Sequence, residues 1–146
     1  MEKIGIKKEW WRKFIERLRG TNSPHAPLSP PKDSNYFETP SGIPGLSWSY
    51  GVRKNDCFAE LYIKRSRPEE NKSILRKIQI HQSDIERAFG GSLIWDPMEG
   101  YNNARIRYSI SEGYCSPGEN WGSIQDGIIN GMSRLKKSLE PYLERI

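Results

Sequence analysis

Alternating hydrophobic and polar residues predict most of a sheet. Residues 46–53 alternate large apolar side chains with small or polar ones, and residues 57–64 do the same after the turn-forming segment 54–56. Residues 103–110 alternate as regularly, and 93–95 form a short apolar run. Because successive side chains of a strand point to opposite faces, the pattern predicts a sheet with one apolar and one polar face.

Three helices are predicted by apolar stripes at helical spacing. The first covers about residues 7–19. The second begins at 66–69, where Ser66 and Glu69 match a capping box, and ends at Gly90-Gly91. A second capping box at 83–86 predicts that this helix breaks near His81. The third helix begins at about residue 116 and runs to the C-terminal end.

The segment between the first helix and the first strand is predicted to be a loop. Residues 21–45 hold six of the ten prolines, which neither continue a helix nor donate to a sheet. The predicted element order is therefore α-β-β-α-β-β-α. This order indicates a single α+β domain over residues 1–146, with an antiparallel sheet of about four strands and three helices on one face.

Composition indicates a folded domain, and the absence of signal and membrane segments favours a cytoplasmic location. The chain has 146 residues, of which 35% are hydrophobic and 11% aromatic, enough for a core without disulfides or metals. The sequence has no secretory signal and no apolar run of about 18 residues, so we expect a cytoplasmic protein that does not insert into a membrane. Cys57 and Cys115 are then expected to be reduced thiols.

The basic excess is concentrated at the N-terminal end. The formal net charge is +5, and residues 1–20 supply four of these charges. A basic end favours contact with nucleic acid. The alternative is a solvated helix face, since Glu9 with Lys13 and Arg12 with Glu16 are spaced to form ion pairs along one helix.

Catalytic and metal-binding patterns are weak. A restriction-type nuclease needs two carboxylates and a lysine brought together on strands. The segment Glu70-Asn71-Lys72 lies at a helix start instead, and Glu60 and Lys64 are about 13 Å apart on an extended strand. The two histidines and two cysteines are scattered singly, unlike zinc ligands. We predict no catalytic residue, metal or cofactor.

The polar face of the predicted sheet is the strongest candidate for a binding surface. Arginine and tyrosine there could bind phosphates and stack on bases. Opposite charges on neighbouring strands could equally pair with each other and bind nothing. Two residues of the Pro-rich loop are expected to close over this face. The candidate residues are Lys32, Asp33, Arg53, Glu60, Tyr62, Lys64, Arg105 and Arg107, with Ser49 on the same side.

Several segments, taken in order, resemble one protein family. The resemblance covers about residues 8–143 and is to the domain of unknown function family DUF4268. The segments are SPPKD (29–33), SGIPGLSWSY (41–50), RKNDCFAELYI (53–63), EENK (69–72), IERAFGGSLIW (85–95), ARIRY (104–108) and ENW (119–121). Members occur either alone or C-terminal to restriction-nuclease-like domains of prokaryotic proteins, and this chain resembles the lone form. The resemblance implies no catalytic residues, and by association it favours a role in prokaryotic defence or DNA processing.

These observations lead to one functional hypothesis and two alternatives. The hypothesis is a non-catalytic binding or accessory domain that contacts nucleic acid or a nuclease-like partner. One alternative is a small metal-dependent hydrolase or nuclease. The other is a self-associating scaffold that forms a homodimer. The five tryptophans and the open sheet of the predicted fold would suit such an interface.

Overall fold

The structure is a computed structural model that describes residues 2–21 and 34–146. Five strands form an antiparallel sheet in the order β1-β2-β3-β5-β4. Within the described residues four helices accompany the sheet, and a short 3-10 turn (Gly118–Asn120) precedes the last of them. The elements are α1 (Glu2–Gly20), β1 (Tyr36–Pro40), β2 (Leu46–Val52), β3 (Cys57–Ile63), α2 (Pro68–Gln79), α3 (Gln82–Phe89), β4 (Ile94–Asp96), β5 (Ala104–Ile110) and α4 (Trp121–Leu143).

The α+β class and the antiparallel sheet are confirmed, but the predicted number of strands is wrong. The sheet has a fifth strand, β1, inside the segment 21–45 that was predicted to be a loop. Pro40 ends this edge strand, where a missing backbone N–H is tolerated. Phe37 faces the core and packs against Trp11 and Tyr50. Long-range packing therefore overrides the proline signal here. Residues 22–33 of the segment lie outside the described residues.

The predicted number of helices is also wrong. The expected break near His81 separates two helices, α2 and α3, so the described chain has four α-helices rather than three. The capping box at Ser66 does not form, because the residue before α2 is Arg67, without a side-chain cap. The Asn71 side chain instead bonds both the backbone N–H and the carbonyl of Arg65, which organises the start of α2.

The core lies between the helices and one face of the sheet. Helix α4 packs against β3 and β5, and both α1 and α3 pack against α4. The apolar rows of β2, β3 and β5 are buried together, and Trp48, Leu61 and Ile106 lie directly opposite one another across the three strands. The alternation therefore predicted the helix-covered face of each of these strands correctly. Every intervening residue faces the other way.

Candidate binding groove on the polar sheet face

Three polar residues form the floor of a groove on the face opposite the core. Ser49, Glu60 and Arg107 are register neighbours across β2, β3 and β5. They are only 2%, 4% and 6% exposed, although they belong to the polar side of their strands. Arg107 Nε donates to Glu60 Oε1 at 2.8 Å. The floor is therefore a buried ion pair held by three central strands.

An aromatic stack lies beside this ion pair. Gly51 is directly opposite Phe58, and the ring of Phe58 covers the glycine so closely that a Cβ there would lie 2.0 Å from it. The guanidinium of Arg107 lies 3.6 Å from the centroid of the same ring. The missing side chain at Gly51 thus lets Phe58 lie flat, and the flat ring supports the arginine.

The walls of the groove come from an edge strand and a loop. Tyr36 and Glu38 of β1 line one side, while Met98 of the β4–β5 loop and Arg105 of β5 line the other. The space between them, over the floor and the ring of Tyr62, is about 170 Å³. A wider recess of about 410 Å³ shares the wall residues Tyr36 and Glu38 and the ring of Tyr62, and it extends beside Lys64.

Most positive charges on this face are already paired. Glu60 binds Arg107, and Asp96 accepts a hydrogen bond from Arg105 Nε at 3.1 Å. Arg53 pairs in the same way with Asp56 beyond the end of β2. Among the described residues Lys64 forms no ion pair and is exposed. Charges on neighbouring strands therefore pair with one another at Arg105 and Arg107, whereas Arg53 pairs within the β2–β3 turn.

Burial changes the protonation equilibria of the floor. It raises the pKa of the Glu60 carboxyl above its ordinary value, although the neighbouring Arg107 opposes this shift. Burial likewise lowers the pKa of the Arg107 guanidinium. Tyr62 also has a raised pKa, chiefly because part of its side chain is removed from water. Each shift disfavours the charged form, as expected where the protein removes part or all of a group from water.

The predicted site residues fall into two groups. Four candidates lie on one face of the sheet, as the alternation predicted, and two follow the ends of β2 and β3 on the same side: Glu60, Tyr62, Arg105 and Arg107 on the strands, Arg53 and Lys64 beyond them. Lys32 and Asp33 lie outside the described residues. Sequence reasoning missed Tyr36 and Glu38 because strand β1 was not predicted, and it missed Met98 because the position of its loop beside the polar face was not predicted. It also overlooked Phe58, although the alternation had placed this ring on the polar side.

The residues considered for nuclease chemistry have other contacts. Glu70 pairs with Arg65, and Asn71 is fully buried and hydrogen-bonded. The ammonium of Lys72 donates to backbone carbonyls of the β4–β5 loop. Within residues 2–21 and 34–146, no three His, Cys, Asp or Glu side chains gather into a potential metal site.

The fold and the groove define an α+β sheet domain with a preformed, aromatic-lined recess on the face away from its helices. The sequence matches the family described as domain of unknown function DUF4268 over residues 6–143, and the chain therefore belongs to that family. No curated protein matches the sequence. No helix in the described part of the chain combines the length and apolar character needed to cross a membrane.

Proposed function

We propose that the domain is a non-catalytic binding module that contacts nucleic acid by holding one unpaired base in the groove. The observation that supports this most directly is the combination of groove size and lining. The space of about 170 Å³ is smaller than the pockets of about 300–1,000 Å³ that enclose whole ligands, but it suits a single planar ring. Tyrosines border it, and bases of any sequence can stack on such rings.

The groove offers a place for both parts of a nucleotide. Tyr36 is 52% exposed at the rim, so its ring is available for stacking. The wider recess continues from the same tyrosine to Lys64, whose exposed ammonium has no ion-pair partner in the described part of the chain and could bind a phosphate. Base and phosphate would then be held in neighbouring spaces that share a wall.

The paired arginines limit the electrostatic part of such binding. Because Arg53, Arg105 and Arg107 each already face a carboxylate, few new phosphate contacts are available in the groove. Single-stranded nucleic acid releases counterions with a slope of about −0.7 in log K against log salt for each phosphate contact. We therefore expect a shallow slope, of about −0.7 to −1.4, from one or two contacts.

A fluorescence anisotropy titration with labelled single-stranded DNA and RNA tests the proposal. Tyr36→Ala should weaken binding at about 50 mM salt by roughly 5-fold or more, since base stacking contributes about 1–3 kcal/mol. Ile80→Ala removes an exposed apolar side chain on the helix layer and should leave the affinity unchanged. Absence of binding at low salt, or equal effects of the two variants, would refute the proposal.

A metal-dependent hydrolase remains the second candidate, because two carboxylates line the groove. Glu38 and Glu60 both border the space, and the pKa of Glu60 is raised. We rank catalysis lower because the Glu60 carboxylate is already paired with Arg107 and is therefore less available to a metal ion. Incubation of the same oligonucleotides with Mg²⁺ or Mn²⁺ decides the matter: cleavage that is lost in Glu38→Gln would favour the hydrolase.

Protein partners are the remaining alternatives. A nuclease-like partner would occupy the same face and compete with the oligonucleotide. Self-association would show as twice the monomer mass in light scattering. A monomer that binds oligonucleotide and loses it on Tyr36→Ala would favour the binding module over both.

A further inference from the structure

The β4–β5 loop surrounds one ammonium group with backbone carbonyls. Lys72, on the first turns of α2, donates from Nζ to the carbonyl of Met98 at 3.1 Å, of Tyr101 at 2.8 Å and of Asn103 at 2.5 Å. It also contacts the carbonyl of Pro97. An ammonium has three protons, so four oxygens exceed what simple hydrogen bonding can satisfy. Four inward-pointing carbonyls resemble the way proteins coordinate K⁺.

The neighbouring residue of α2 reinforces the same attachment. Asn71 is 0% exposed, and its Nδ2 donates to the carbonyl of Asn102 at 2.7 Å. The same side chain accepts a hydrogen bond from the Arg65 N–H and donates one to the Arg65 carbonyl. Two adjacent side chains of one helix therefore fix five carbonyls of segment 97–103. The helix holds the loop through the loop's backbone rather than its side chains.

The loop backbone is shaped for this arrangement. Met98 has a positive φ of 51°, unusual for a residue with a side chain, and Gly100 follows with φ 85°. The carboxylate of Asp96 accepts the Met98 N–H at 2.8 Å. Left-handed backbone at a residue with a side chain costs free energy and persists only where surrounding contacts hold it. The bound ammonium is what the converging carbonyls face.

This loop carries part of the groove. Met98 lines one wall, and Asn103 Nδ2 donates to the hydroxyl of Tyr62. Asp96, at the loop's start, pairs with Arg105. A displacement of segment 97–103 would therefore move the Met98 wall and the Asn103 amide that bonds Tyr62, and it would disturb the Asp96 carboxylate through its bond from the Met98 N–H. Lys72 reaches the loop without lining the groove itself.

We propose that segment 97–103 is a monovalent-cation site built from backbone carbonyls, that the Lys72 ammonium fills it as a tethered cation, and that this contact positions the Met98 wall of the groove. The link from cage to groove wall is structural. Its consequence for ligand binding rests on the proposed function.

Chemical rescue in Lys72→Ala tests the cation site without any nucleic acid. In tetramethylammonium chloride, whose cation is too large for the cage, we expect Tm to fall by about 5–10 °C because several carbonyls lose a charged donor. Equal concentrations of KCl or NH₄Cl should restore several degrees of this loss by binding the vacated carbonyls. Lys77 is an exposed lysine on the same helix, and Lys77→Ala should show neither loss nor salt preference.

Lys72→Met distinguishes loss of the cation from loss of side-chain volume inside the ring of carbonyls. Its apolar side chain occupies the space but cannot donate, so Tm should fall and KCl should not restore it. The proposal is wrong if Lys72→Ala and Lys77→Ala have the same Tm, or if K⁺ and tetramethylammonium act alike on Lys72→Ala. Failure of Lys72→Ala to fold even in KCl would also overturn it, since the restored cation should restore the loop.

The Met98 methyl group reports the wall directly. In a protein labelled at the methionine methyls, the Met98 signal should shift in Lys72→Ala and return towards its original position in KCl, while that of buried Met132 stays in place. An unchanged Met98 signal would refute the positioning role. Loss of oligonucleotide affinity should follow the same salt pattern. Should wild-type protein bind no oligonucleotide, the proposed function fails, yet the Tm and methyl measurements still decide the cation site.

Discussion

The buried ion pair in the groove floor allows a quantitative test of how the polar face is built. We consider Arg107→Met, which keeps a long side chain but removes the guanidinium. Glu60 then loses its partner, because Arg107 Nε is the donor that its Oε1 accepts. The aromatic support of the guanidinium by Phe58, at 3.6 Å, is lost as well.

The magnitude follows from the separation and the burial. At 2.8 Å between Nε and Oε1, and an effective dielectric constant of about 20, the Coulomb attraction is about 6 kcal/mol. Desolvation of the two charges offsets much of this attraction in the intact protein. Removing one partner, however, leaves the other charge desolvated, so we expect Arg107→Met to cost about 3–5 kcal/mol in the free energy of unfolding.

The pH dependence of this variant has a definite sign. Burial already raises the pKa of Glu60, and loss of Arg107 removes the strongest influence that opposes the rise. A carboxyl whose pKa is higher in the folded than in the unfolded state binds more protons when folded. The variant should therefore gain stability relative to wild type as the pH falls from 7 towards about 4.3, the unfolded value, and lose it again as the pH rises.

A double-mutant cycle in urea, followed by tryptophan fluorescence, measures the coupling. Glu60→Leu combined with Arg107→Met removes both charges, and replacing a buried pair by apolar groups is often close to neutral. The double variant should thus be more stable than either single variant. Additive costs, or a cost of Arg107→Met below about 1 kcal/mol, would show that the pair is solvated and that the described floor is wrong.

Three further predictions concern other parts of the fold. Glu86→Gln should cost about 1–2 kcal/mol at pH 7, measured in urea, because the Glu86 carboxylate accepts two N–H groups at the start of β4. These bonds lower its pKa, so the wild-type advantage is present above about pH 4.3 and is lost as the pH falls through the lower folded value. Gly113→Ala should lower the free energy of unfolding by about 2 kcal/mol or more, because the new Cβ would lie 2.0 Å from a backbone oxygen. Gly118→Ala is the control: its Cβ would lie in open space, so it should cost less than about 0.5 kcal/mol when the two variants are compared by thermal unfolding. Exposed Cys115 should react with iodoacetamide at pH 8 while buried Cys57 stays unmodified, because burial raises the pKa of the Cys57 thiol to about 12. Mass spectrometry checks this, and alkylation of both thiols would contradict it.

Local periodicity explains why much of the sheet could be predicted. The two-residue alternation in β2, β3 and β5 depends only on neighbouring positions, so it identified the strands and the face of each side chain. Strand β1 could not be found in this way. Its identity depends on pairing with β2 across the short connection 41–45, and on the contacts of Phe37 with α1, which is distant in the sequence.

The candidate site divides along the same line. Alternation placed Glu60 and Arg107 on one face, but the register that makes them direct partners requires knowing that β3 lies beside β5. Nothing local in the sequence indicates that order, since β4 intervenes along the chain. The role of Lys72 was equally hidden, because its partners are backbone carbonyls of a loop whose conformation no side-chain pattern specifies.

The groove combines a fixed floor with walls that are held less firmly. Glu60 and Arg107 lie on central strands with paired neighbours on both sides, so their positions are set by the sheet itself. Tyr36 lies on an edge strand, and Met98 on a loop held largely by side chains of α2. Substitutions in the floor should therefore change the free energy of unfolding more than ligand affinity, and substitutions in the walls should do the reverse. A ligand that fits this groove would owe its orientation to the floor and its selectivity to the walls.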